Sequence, residues 1–245
     1  MKKIAIIIPS RLSAERLPNK PLKLINNKEM VLHVYDIAKA ANVGDVYVAT
    51  PDRKIFEIVE NYGGKAILTN TNHQTGTDRV FEVFQKELKN KPEIIINFQG
   101  DMPNLDSKYI KILANHMQKD LCDIATLASD LHLKTEEKDQ NIVKVLDKED
   151  IKNKDFSHAI DFFRVKDNAL TKFTYHHIGI YAFTSKALMR YVELSRSESE
   201  IQRNLEQLRA LDNKMKIDVG YIESCPLSVD TESDLSKIKK MMENK

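Results

Sequence analysis

The 245 residues include 38 Lys and Arg against 36 Asp and Glu, a net charge of +2, with 42% hydrophobic residues and two cysteines. Balanced charge without a dense basic block argues against a nucleic-acid surface, which gathers its cations on one face. No apolar run approaches the ~20 residues that span a bilayer, and the run behind Met1-Lys2-Lys3 is shorter than the ~7–15 residues of a signal-peptide core. The expectation is therefore a single cytoplasmic α/β domain over residues 1–245. Its Cys122 and Cys225, far apart in sequence, read as reduced structural thiols with neither a zinc site nor a disulfide framework.

In chain order, Ala5-Ile6-Ile7-Ile8 is an unbroken apolar run ended by Pro9, the pattern of a strand buried on both faces of a parallel sheet. The segment that follows, through Leu22, presents Arg11, Arg16 and Lys20. It leaves the carboxyl end of that strand, where open α/β sheets bind their ligands. Three cations there suit a polyanion, a triphosphate first of all; the plain alternative is a solvated surface turn. Lys20 reads as an exposed loop lysine that supports no core. Residues 23–25 suggest a short strand before the Asn26-Asn27 turn, 30–41 a helix, and 45–49 a second buried strand. Pro51-Asp52 opens a helix that stops at Gly63-Gly64. Residues 65–68 are a third strand, a polar loop over 69–76 leads to a helix through Leu88, and 94–98 are a fourth strand. This strand–helix alternation predicts an α/β fold with a mainly parallel sheet flanked by helices.

The second half is less regular. Residues 106–119 read as a helix, 124–128 and 142–146 as strands with a charged loop between them, and 147–154 as an exposed charged stretch. Residues 178–183 form another strand, followed by a helix from Ser185. Residues 200–212 are predicted to be one helix with Ile201, Leu205, Leu208 and Leu211 as its core stripe. A strand over 216–220 and a closing helix from about Thr231 complete the pattern, with neither an internal repeat nor a long linker.

Two carboxylates stand out. Asp101 follows Gly100 at the carboxyl end of the fourth strand, well placed for magnesium, which takes one or two carboxylates with substrate phosphates and waters; a turn cap is the alternative. Asp230 precedes Thr231, which also suits an ordinary N-cap segment. The pair matters only if the fold brings the two together.

Ile8-Pro9-Ser10-Arg11 through Arg16-Leu17-Pro18-Asn19-Lys20-Pro21-Leu22, His73-Gln74-Thr75-Gly76-Thr77-Asp78-Arg79, Gln99-Gly100-Asp101, His177-Ile178-Gly179-Ile180-Tyr181, Leu205-Glu206-Gln207-Leu208-Arg209 and Val229-Asp230-Thr231 occur in that order. Together they resemble the motifs of the 3-deoxy-manno-octulosonate cytidylyltransferases, or CMP-Kdo synthetases, from about residue 4 to residue 240. Sialate cytidylyltransferases share the first loop. The resemblance implies a nucleotide-diphospho-sugar transferase-like fold with a less regular dimerisation and sugar-binding lobe at about residues 130–195. It implies a homodimer, with apolar surface from Phe156, Phe162, Phe163 and Phe173, and partners limited to CTP and a 3-deoxy-ulosonic acid. The implied reaction is CTP plus Kdo giving CMP-Kdo and pyrophosphate, for lipopolysaccharide assembly. The anomeric hydroxyl attacks the α-phosphorus directly, with Mg2+ as cofactor.

By the same resemblance, Pro9, Arg11, Arg16, Lys20 and Gln99 bind CTP, and Arg11, Lys20 and Asp101 are catalytic. Asp101 and Asp230 hold the metal, and Arg79, His177, Tyr181, Glu206 and Gln207 read the sugar. On residue pattern alone, His177 and Tyr181 are equally ordinary sheet residues, and Glu206 and Gln207 a solvated helix face. The sequence departs from the family pattern at Asn19, often glycine, whose side chain tolerates positive φ. It departs also at Met102, often Glu, at Asn70, Arg in some members, and at His158, where Phe-Ser-Arg is common. Two alternatives stay open: the same chemistry on 8-amino-Kdo or another 3-deoxy-ulosonic acid, and a non-catalytic nucleotide-sugar-binding protein. The latter is disfavoured by the presence of Arg11, Lys20, Asp101 and Asp230 together.

Overall fold

The computed structural model describes residues 1–13, 16–88, 91–131, 134–164 and 173–243. Ala14 and Glu15 of the basic loop, and residues 165–172 of the lobe expected to dimerise, lie outside the described residues. The chain forms two compact units, the first Met1–Lys111 with Pro226–Lys245, the second Ile112–Cys225.

In chain order the first unit contains β1 (Ile4–Pro9), β2 (Leu24–Ile25), β3 (Lys28–Glu29), α1 (Met30–Ala41), β4 (Asp45–Thr50), α2 (Arg53–Asn61), β5 (Ala66–Leu68), α3 (Gly76–Lys86) and β6 (Ile94–Phe98). The helix α4 (Ser107–Met117) begins in it. β1 pairs in parallel with β4 on one side and β6 on the other, and β4 pairs in parallel with β5. Ile4 to Ile8 are all buried, as are all five residues of β6, which is why these strands read as continuous apolar runs rather than alternating ones. β2 and β3 form a hairpin around Asn26 and Asn27, both with positive φ, the conformation a tight hairpin turn requires.

The second unit holds β7 (Ile124–Ser129), α5 (Lys134–Lys138), β8 (Lys144–Asp147), β9 (Phe156–Phe163), β10 (Thr174–Thr184), α6 (Ser185–Glu193), α7 (Glu198–Arg203), α8 (Gln207–Asp212) and β11 (Ile217–Tyr221). The chain then returns to the first unit with α9 (Glu232–Glu243). Here β7 and β11 are parallel, while β10 pairs antiparallel with both β7 and β8, and β9 antiparallel with both β8 and β11. The five strands thus close on themselves.

Three expectations for this half need correction. The single helix over 200–212 is two: Asn204 takes a left-handed conformation at φ 52 and caps α7. Ile201 is then 59% exposed, and buried Glu200 turns inward to Arg209 instead. The charged stretch 147–154 is not wholly exposed, because Asp147 and Ile151 are buried. Two of the four phenylalanines expected to supply dimer surface are used internally: Phe162 and Phe163 are buried, while Phe156, stacked on His116, and Phe173 are half-buried. Residues 156–163, for which the pattern predicts no element, form the strand β9; its mixed burial hides the alternation that marks a strand.

Candidate active site

The basic loop is pinned at both ends. Ser10 N donates to Ala49 O at 2.9 Å and Leu12 N to the Asp52 carboxylate at 2.8 Å. Further on, Leu17 enters a core cluster with Ile25, Met30, Val229, Leu235 and Ile238. Asn19 turns the chain at φ 56, ψ 29 into a short 3-10 segment, Lys20–Leu22, so the expectation that an asparagine can supply this turn is borne out.

That turn aims Lys20 inward. Its Nζ lies 2.9 Å from Asp230 Oδ1 and 3.5 Å from Asp101 Oδ2, and Arg16 Nη2 lies 3.1 Å from Asp230 Oδ2. The segments carrying the two carboxylates are tied by Val229 N donating to Asp101 O at 2.9 Å. Thr231 and Asp234 cap α9 reciprocally: Thr231 N donates to Asp234 Oδ2 and Asp234 N to Thr231 Oγ1. The capping role suspected for this segment is therefore real, and it leaves Asp230 just outside the helix, facing Lys20. The picture of Lys20 as an exposed loop lysine does not hold, since its side chain is only 18% exposed. Burial alone would lower the Lys20 pKa, but Asp101 and Asp230 outweigh it and raise the pKa above its ordinary value. Burial likewise pushes Asp230 up, and Lys20 and Arg16 more than reverse it, holding that carboxyl below the usual range.

The amino end of α3 approaches the end of β1. A Cβ on Gly76 would come within 3.3–3.5 Å of the Gln99 amide and Pro9 Cγ, so glycine allows the helix to come this near. Thr75 and Asp78 form a capping box. Gln99 Nε2 donates to Asn97 Oδ1 at 2.8 Å, and Asn97 Nδ2 to Thr77 Oγ1 at 3.3 Å, which fixes the Gln99 side chain. Arg79 is buried, with Nη1 donating to Asn70 O at 2.9 Å and to Thr69 Oγ1. Burial, with nearby Arg11 adding, lowers its pKa. Helix N–H groups, two guanidinium groups and a buried Ser10 Oγ with no partner among the described residues therefore belong to one neighbourhood, a suitable setting for phosphate oxygens.

Of the five sugar candidates, Arg79 lies in the first unit and the other four in the second. The register of β10 against β7 shifts between Ile178 and Tyr181. Thr126 Oγ1 lies 3.1 Å from Ile178 O and 2.7 Å from Ile180 O, serving carbonyls at this irregularity, and 3.0 Å from His177 Nε2. His177 and Tyr181 thereby face each other, with ring centroids 5.4 Å apart. Burial, then His176, pushes the His177 pKa down to about 3. Burial, then Glu206, holds Tyr181 well above its ordinary value. Glu206 stands at the amino end of α8 and Gln207 is buried, so Gln207 is not part of a solvated face.

A cytidylyltransferase family model matches residues 5–217. Proteins of Brucella ovis and Bartonella tribocorum, both 3-deoxy-manno-octulosonate cytidylyltransferases, are 37% identical over 238 residues. The match spans 97% of this chain, and 94% and 97% of theirs. The chain belongs to the 3-deoxy-manno-octulosonate cytidylyltransferase family. A solved CMP:2-keto-3-deoxy-manno-octonic acid synthetase complexed with CTP is 34% identical, with a TM-score of 0.88 and 99% of each chain covered. A 4-diphosphocytidyl-2C-methyl-D-erythritol synthase from Anaerococcus prevotii, at 15% identity and TM-score 0.66, shares the fold.

In this cytidylyltransferase, Met102, which stands where the family often has Glu, is buried beside Asp101 in sequence. Asn70, where some members have Arg, donates its backbone N–H to Glu82 and accepts from Arg79. Sequence reasoning gave no site role to Ser10, Asp52 or Thr126. The Thr75-x-x-Asp78 spacing was a readable helix-start signal; nothing in the sequence marks a serine or threonine that sits beside a strand irregularity.

Proposed function

We propose that this cytidylyltransferase couples CTP to 3-deoxy-D-manno-octulosonate with release of pyrophosphate, activating the sugar for lipopolysaccharide assembly in the cytoplasm, with magnesium as cofactor. The observation that carries the reading is the convergence of Asp101 and Asp230 on the Lys20 ammonium. Two carboxylates directed at one cation are a donor set that fits magnesium, and Asp101 and Asp230 would hold it. Bound there, the ion would neutralise phosphate charge and polarise the α-phosphate.

The chain's own residues do the rest by positioning and charge. Gln99, Pro9 and the amino end of α3 would seat the nucleotide, and Arg11 and Arg16 the triphosphate. Lys20, whose proton is held by its surroundings, acts as a fixed positive charge on the leaving pyrophosphate and not as a base. His177, neutral at ordinary pH, and Tyr181, which keeps its proton, are hydrogen-bonding readers of the sugar together with Glu206 and Gln207. Buried Arg79 braces the Thr69–Asn70 loop beside Arg11. A homodimer through the second unit is part of the proposal. Ile160 and Ile201, 55% and 59% exposed, offer apolar surface there.

One observation favours a second reading, the same chemistry on 8-amino-Kdo or another 3-deoxy-ulosonic acid. His158, at the position where the family commonly has Arg, is committed to Asp218, with Nδ1 2.5 Å from Oδ1. Pyrophosphate release measured with CTP and magnesium across Kdo, 8-amino-Kdo and sialic acid decides between them. Preference for Kdo, abolished in Asp101→Asn and Asp230→Asn, supports the leading reading. Turnover with 8-amino-Kdo alone supports the second, and none with any acid rejects both.

A further inference from the structure

We propose that His116, Cys122 and Asp218, in the second unit, form a binding site for a zinc-type divalent ion, distinct from the carboxylate pair of the first unit. One ligand atom from each lies within 4.8 Å of the others. Tetrahedral zinc, with bonds of about 2.0–2.3 Å, spaces its ligand atoms at roughly 3.3–3.8 Å, so small side-chain rotations close the set. His116 stands in the last turn of α4, Cys122 in the connection to β7, and Asp218 in β11.

The surroundings are built as ligand supports are. Asp218 is 3% exposed and accepts on both oxygens: His116 Nε2 lies 2.8 Å from Oδ2, and His158 Nδ1, from the neighbouring strand β9, 2.5 Å from Oδ1. His158 would orient the carboxylate from outside while His116 binds the ion. The His116 ring is clamped by Phe156, stacked at 3.7 Å and 11°. A Cβ on Gly220 would meet that Phe156 ring at 2.7 Å, so the glycine makes room for the clamp. His116 is 5% exposed, and among the described residues its buried Nδ1 has no hydrogen-bond partner, which leaves the ring's bonding incomplete there.

Charge chooses the ion. A thiolate and a carboxylate neutralise one dication, with imidazole as neutral donor. Sulfur and nitrogen donors favour zinc or cobalt over magnesium. On binding, the Cys122 S–H bond breaks and a metal–sulfur bond forms. The proton leaves to water and no electron is transferred. The ligands are scattered over residues 116 to 218, with none of the short spacings by which zinc sites are read, which is why two distant cysteines suggested no zinc site.

The test is cobalt titration of the full chain in excess magnesium, which keeps the carboxylate pair of the first unit from reporting. One cobalt per chain with a thiolate-to-cobalt charge-transfer band is expected, absent in Cys122→Ser and retained in Cys225→Ser. A second measurement, independent of the folding of Cys122→Ser, uses the wild type: zinc should slow iodoacetamide alkylation of Cys122 at least ~10-fold, since a metal-bound thiolate is withheld from the reagent. A missing band, a band that persists in Cys122→Ser, or unchanged alkylation would overturn the proposal and leave a His–Asp–His hydrogen-bond network.

Discussion

Lys20→Ala is the sharpest test of the candidate site. In the folded chain the ammonium holds Asp230 at 2.9 Å and Asp101 at 3.5 Å. A hydrogen bond to a charged group contributes about 1.5–3 kcal/mol. The shorter contact belongs at the low end because the Asp230 side chain is 37% exposed. The longer one adds less than about 1 kcal/mol at that distance. The variant should therefore lose about 2 kcal/mol of stability, or roughly 4–8 °C in Tm for a chain of this size. Magnesium can replace the missing positive charge between the carboxylates, so it should raise the Tm of Lys20→Ala more than that of the wild type. The kinetic effect is separate. A charge contact made mainly as pyrophosphate leaves is worth on the order of 3 kcal/mol, or ~100-fold in turnover at saturating CTP and sugar. Lys20→Arg keeps the charge with another geometry and should recover only part of the rate. Thermal melts with and without magnesium, together with pyrophosphate release, measure both effects. Unchanged Tm with near-normal turnover would refute the assignment and reduce the loop to a surface turn.

Asn19→Ala should cost about 1 kcal/mol in urea unfolding, because the left-handed conformation at φ 56 suits alanine less well than asparagine, whereas Asn19→Gly should be near neutral. Gly220→Ala should destabilise by about 1–3 kcal/mol, as the new methyl displaces the Phe156 ring. Glu200 is buried and bonded to Arg209 at 2.7 and 2.8 Å and to Arg196 at 3.0 Å. Burial pushes its pKa up, but the two arginines outweigh burial and hold it below 4.5. Its stabilisation is therefore complete above pH 4.5 and lost as pH falls through the folded-state value. Glu200→Gln should cost about 3 kcal/mol at pH 7, with the gap to wild type closing in unfolding curves taken progressively below pH 4.5.

The parallel strands were readable because burial on both faces writes itself as unbroken Ile and Val runs, and α1 because its apolar spacing is regular. Asn19 was readable for a similar reason, since one residue's conformational tolerance sufficed. The pairing of Asp101 with Asp230 depends on a tertiary contact across more than a hundred residues, and local pattern cannot report it. In the second unit, polar groups take core positions and so obscure the periodicity. Lys144 is fully buried, with its ammonium donating to the carbonyls of Asp139, Ile142 and Arg164 at 2.6–3.0 Å. Glu200 similarly replaces a hydrophobic stripe, and composition reads both residues as solvated.

The return of residues 226–245 to the first unit has a consequence for biosynthesis. On the ribosome, the contiguous second unit can finish folding as soon as it has emerged. The first unit must wait, because Val229, Leu235 and Ile238 complete the core around Leu17, Ile25 and Met30. Asp230 arrives with them. A nascent chain still lacking this segment thus has Lys20 and Asp101 but not the second carboxylate that meets the Lys20 ammonium. The cluster of Lys20 with Asp101 and Asp230 would therefore assemble in one late step of synthesis, together with the core that the same segment completes.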